Sequence, residues 1–105
     1  RPNARLFEAA RAHAANMAKQ DKLEHDLDGI TASERVTTAG YRWSRTGENI
    51  AWSAPTPKEV VAGWMDSPPH KANILSEEFT EIGVGVASNA KGERYWVQVF
   101  GTPWE

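Results

Sequence analysis

The chain has 105 residues, with 12 Lys and Arg against 14 Asp and Glu for a formal charge of −2, and 40% apolar and 25% charged residues. That balance excludes a polybasic nucleic-acid binder and a disordered chain, and no apolar run approaches the roughly 18 residues of a membrane-spanning helix. A chain of this length supports one hydrophobic core, which predicts a single domain over residues 1–105.

In chain order, Leu6, Ala10, His13 and Met17 recur at steps of four, three and four. This predicts a helix over 4–20 with one Ala-rich packing face. A second helix is predicted from Thr31, whose hydroxyl can be satisfied reciprocally with Glu34, and ends near Ala39-Gly40. Thr56-Pro57 repeats the start signal for a helix that carries Val60, Val61, Trp64 and Met65 inward. Ser67 is the expected N-cap of the next helix, with Pro68 its first residue and His70 its third. The period then changes. Residues 79–88 alternate Ile82, Val84 and Val86 with Gly83, Gly85 and Ala87, a strand with one bulky and one bare face. Residues 94–100 are apolar on both faces, and the polar loop 88–93 between the two suits an antiparallel hairpin. A strand apolar on both sides needs cover on both, so the predicted fold is α+β, a small antiparallel sheet between helical layers.

The chemistry-bearing residues are few. His13 on the apolar stripe reads as a packed histidine bonded to a neighbour, and His25 as a surface imidazole in a polar turn. His70 sits in the first turn of a helix, where the backbone dipole disfavours imidazolium and leaves a nitrogen lone pair for a metal or a proton. A plain turn-filling role is the other reading. Glu48 abuts the apolar stretch Ile50-Ala51-Trp52, and a carboxylate so placed needs a partner. Trp43 and Trp52 flank that segment and can line a cleft. There is no HExxH helix, nucleophile elbow, Walker loop or dinucleotide-binding fingerprint. The absence of Cys excludes disulfides, thiolate zinc sites and a cysteine nucleophile, and on its own leans toward a reducing compartment. The start at Arg1-Pro2 without Met reads as a processed or cut product.

Taken together, Gly47-Glu48-Asn49-Ile50-Ala51, the segment WMDSPPHKANIL at 64–75, FTEIGVGVA at 79–87 and YWVQVFG at 95–101 resemble the bacterial branch of the CAP superfamily. This is the SCP domain shared by cysteine-rich secretory proteins, venom allergens and plant pathogenesis-related proteins. The likeness runs from about Ala9 to Gly101. It implies a three-layer α-β-α sandwich, an extracellular or cell-envelope location despite the missing Cys, and a first helix of which part lies outside this chain. It also implies a cleft at His25, Glu48, Ser67, His70 and Asn73, in which His25, Glu48 and His70 correspond to residues that hold a divalent cation, most often zinc. Ser67 stands where many relatives carry a second Glu. Two His and one Glu with an open position suit an exchangeable metal, and a hydrogen-bonded structural cluster is the equal alternative. The function expected from the resemblance is a secreted binding module for a small polar, lipid-like or peptide ligand, with no nucleic-acid partner. The competing reading is a metal-dependent hydrolase with Glu48 as base.

Overall fold

The computed structural model describes residues 1–104. Helix α1 spans Ala4–Gln20 and starts where the Asn3 side chain accepts from the amides of Arg5 and Leu6. It ends at Asp21, which takes the left-handed conformation at φ 54°. Leu6, Ala10, His13 and Met17, the predicted stripe, are all buried. Helix α2, Ala32–Thr38, begins with the reciprocal Thr31–Glu34 bonds that the sequence indicates and stops at Ala39.

Strand β1, Trp43–Trp52, is the element that the apolar pattern does not announce. Its middle, Gly47-Glu48-Asn49, is polar, and it is an edge strand of the sheet, so no continuous hydrophobic run marks it. Helix α3, Pro57–Met65, opens with the Thr56 hydroxyl accepting from the Glu59 amide. It buries Val60 and Trp64, whereas Val61, expected inward, is exposed. In a short helix on the surface of a sheet only a narrow stripe is covered, and Val61 lies outside it. Helix α4, Pro68–Leu75, follows after Asp66 and Ser67.

The two remaining strands are β2, Glu81–Ser88, and β3, Arg94–Pro103. They form the predicted hairpin, closed by the Asn89 side chain accepting from the Lys91 and Glu93 amides and by Gly92 at φ 80°. The sheet is antiparallel with order β1-β3-β2. Its central strand is therefore β3, and residues 95–101 are buried without interruption.

Alternation along β3 divides the core. Tyr95, Val97 and Val99 pack with Leu6, Ala10, Met17, Val36 and Ile50 in the layer of α1 and α2. Trp96 packs with Val60 and Trp64 in the layer of α3 and α4. Two indole bonds fasten the second layer to β1 and the loop that follows it: Trp64 Nε1–H donates to the Ile50 carbonyl (3.0 Å) and Trp96 Nε1–H to that of Ala54 (2.7 Å). The bare face of β2 turns out to be the tightly packed one. A methyl on Gly85 would lie 2.6 Å from the backbone of Ala10 and Arg11, and one on Gly83 would overlap Leu6 and Phe7. Val84 and Val86, on the bulky face, are exposed.

Candidate functional site

Because β1 alternates, Glu48 and Asn49 leave the strand in opposite directions. Glu48 pairs across the sheet with Val99 and enters the α1/α2 layer; Asn49 pairs with Gln98 and enters the layer of α4. The Glu48 side chain is only 4% exposed. A carboxylate removed from water to this degree needs charge partners, and it has them. Arg35 Nη2 lies 2.9 Å and 3.2 Å from its two oxygens, and His25 Nδ1 lies 2.9 Å from one of them. Arg35 also donates to the backbone carbonyls of Ile30 and His25, which fixes the loop that carries His25. The bond to Glu48 raises the pKa of His25 above its ordinary value, against an opposing effect of burial.

His13 completes this group from α1. Its Nε2 bonds the Glu24 carbonyl at 2.8 Å and stands 4.0 Å from Glu48 Oε1. It is the packed histidine that its place on the stripe indicates, and burial pushes its pKa down. With Nε2–H spent on a carbonyl, the neutral ring presents Nδ1 as an acceptor, and that buried atom has no partner.

On the other side of β1 a chain of amides runs inward. Asn49 donates to Gln98 Oε1 (3.0 Å) and to the backbone carbonyl of His70 (3.1 Å), while Asn73 donates to Asn49 Oδ1 (2.9 Å). His70 stands in the first turn of α4 as expected, and its Nδ1 bonds Ser67 Oγ at 2.8 Å. Ser67 holds the N-cap position but makes no capping bond, because its hydroxyl is turned to His70 instead. Asn73 also reaches the Glu48 carbonyl at 3.4 Å, so the amide chain and the charged group meet through the backbone of β1.

The structure thus brings His25 and Glu48 together, with Asn73 behind them, and places the His70 side chain with Ser67. Among the described residues no hydrogen bond or ion pair joins His70 to His25 or Glu48, and no three His, Asp or Glu side chains are grouped as a metal would need. The Arg35 guanidinium lies against both Glu48 oxygens.

Arg35 and His13 are the members that sequence reasoning did not place in the site. The need for a partner to Glu48 was legible from the apolar residues beside it. Which partner supplies it depends on α2 folding back onto β1, and the sequence carries no local mark of that. Trp43 and Trp52 sit at opposite ends of β1 and do not flank one cleft.

The family model of the cysteine-rich secretory proteins, CAP, matches residues 1–100. The Bacillus subtilis protein YkwD is 34% identical over 96 residues, covering 90% of this chain and 36% of that relative. A membrane protein of the same bacterium, YlbC, is 26% identical over 98 residues, covering 92% of this chain and 27% of its own length. The chain therefore spans about a third of the length of these two relatives. Among solved structures, an extracellular SCP-domain protein from Bacillus anthracis superposes with a TM-score of 0.82 at 26% identity, over 95% of this chain and 32% of that one. An outer surface protein from Borrelia burgdorferi has the same fold, with a TM-score of 0.91 at 22% identity over 98% and 77% of the two chains. No described helix is long and apolar enough to cross a membrane. With the α-β-α layers and the ordered motifs in place, the match over residues 1–100 identifies the chain as a member of the CAP family of cysteine-rich secretory proteins.

Proposed function

We propose that this CAP domain is a non-catalytic binding module that works outside the cell. Its recognition centre is the surface where His25 faces solvent over the Glu48–Arg35 pair, and its ligand is small and polar. The observation that carries this reading is the position of Arg35. With Nη2 within 3.2 Å of both carboxylate oxygens and His25 at 2.9 Å, both oxygens of Glu48 already accept from a side-chain donor. A carboxylate held between two such donors is a poor general base, since a base must reach the proton that it abstracts. The same donors compete with a cation for the carboxylate, and the Arg35 charge repels one. His25, by contrast, has a half-exposed side chain, and among the described residues only its Nδ1 is bonded, which leaves Nε2 for a ligand. The extracellular setting follows the Bacillus anthracis relative.

The reading is tested by titrating zinc into the purified chain and by assaying a panel of peptides and esters with and without zinc. The expected outcome is no saturable zinc binding, a melting temperature indifferent to zinc or chelator, and no turnover. One-to-one zinc binding that disappears in His25→Ala would overturn the metal-free reading, and zinc-dependent hydrolysis lost in Glu48→Gln would restore the hydrolase.

A further inference from the structure

Away from the charged group, the beginning of β1 carries a second feature. The Trp43 ring lies between two adjoining open depressions. One, of about 410 Å³, extends to Arg42 and Trp104; the other, of about 350 Å³, extends to Ser33 and Thr38, and Thr37 borders both. Trp104 is 62% exposed, the largest fractional exposure of any large apolar side chain described. The Trp43 indole and the Trp104 backbone are both tied down. Trp43 Nε1–H donates to Thr37 Oγ1 at 3.0 Å, and the Trp104 amide donates to the Arg42 carbonyl at 2.8 Å. An indole held open to water forgoes burial that most large apolar groups obtain, and a concave surface combining aromatic faces with a few fixed polar groups is the usual form of a ligand site.

The chemistry of the lining selects the ligand class. The depressions are shallow and bordered by Ser33, Thr37 and Thr38 with their short hydroxyls, and by one residue of each charge, Arg42 in the first and Glu34 in the second. A lipid chain needs an enclosed apolar trough, which this is not. A pyranose has the matching character: an apolar face of axial C–H groups that stacks on an indole, and a rim of hydroxyls that exchange hydrogen bonds with short polar side chains. Two depressions meeting at one ring suit successive sugars of a chain better than a single sugar. We propose that Trp43 and Trp104 form a saccharide-binding platform for an uncharged oligosaccharide of pyranose rings. It uses none of the side chains that hold Glu48.

The test is titration of cellotetraose and N-acetylchitotetraose into isotopically labelled protein, following the five indole N–H resonances. At least one of the two sugars is expected to shift the Trp43 and Trp104 signals saturably. Trp104→Ala is expected to weaken that binding about tenfold, the scale of one lost aromatic contact, and Arg42→Ala to weaken it as well. Trp52→Ala, at the far end of β1, is expected to bind as the parent does, with circular dichroism confirming each fold. No shift of these two indoles at millimolar sugar, unaltered binding by Trp104→Ala, or an equal response to octanol or to an extended peptide would overturn the proposal.

Discussion

Glu48 is held by groups that respond to pH in opposite senses. His25 gains a proton more readily in the folded chain because it bonds the carboxylate, so its folded pKa lies above the unfolded value of 6.5. The stability that this gives is fully present below that value and is lost as pH rises through the raised folded pKa. His13 runs the other way. Burial holds its folded pKa below 6.5, so the stability linked to its neutral ring is present above 6.5 and is lost as pH falls through the lowered value. Urea unfolding across pH 5 to 8 separates the two. The difference between parent and His25→Gln is expected to be largest at the acid end and to shrink as pH rises. Acid-induced loss of stability is expected to diminish in His13→Gln if that side chain packs as the histidine does, and a steeper loss would contradict the assignment. How far this was readable varies by residue. His13 was placed correctly by its helical period, Glu48 by its apolar neighbours, and His25 only through the resemblance. Arg35, one turn from the end of a short helix, reads as surface charge until the fold delivers it to Glu48.

Capping chemistry is local and was legible at the scale of elements. Thr31 and Thr56 form the bonds that their spacing to Glu34 and Glu59 indicates. Ser67 shows where that logic stops, since a competing acceptor three residues on takes its hydroxyl. The contact of α1 with β2 was legible as a pattern of glycines but not as a purpose. Those glycines let the helix backbone lie directly on the strand. Gly83→Ala is therefore expected to destabilise by about 3 kcal/mol and Gly85→Ala by about 2 kcal/mol, the upper part of the usual range for overpacking. Gly63, in the exposed interior of α3, would give its added methyl nothing to touch within 4 Å. There Gly63→Ala is expected to stabilise by about 0.5–1 kcal/mol. Chemical denaturation of the three variants checks the order, and a Gly83→Ala as stable as the parent would mean that the helix does not rest on this strand.

For the molecule as a whole, the central strand follows from composition: a run apolar on both faces belongs between two layers. Strand order does not follow in the same way, because β1 is a polar edge whose pairing with β3 spans some fifty residues of sequence. Amide hydrogen exchange should reproduce the layering. Amides of β3, bonded on both sides and buried on both faces, are expected to exchange slowest, and those of Val84 and Val86 on the outer strand much sooner. Comparable protection throughout the sheet would contradict it. The opposite facing of Glu48 and Asn49 bears on how such a sheet avoids registration errors. Sliding β1 by a single position along β3 would exchange the two side chains between layers. A carboxylate would then stand among amides with no cation in reach, and an amide would face an unneutralised guanidinium. Hydrophobic pairing alone penalises such a slip weakly on an edge strand with few apolar residues, so proofreading of this pairing falls to polar side chains, and the motif that marks the family also keeps the sheet in step.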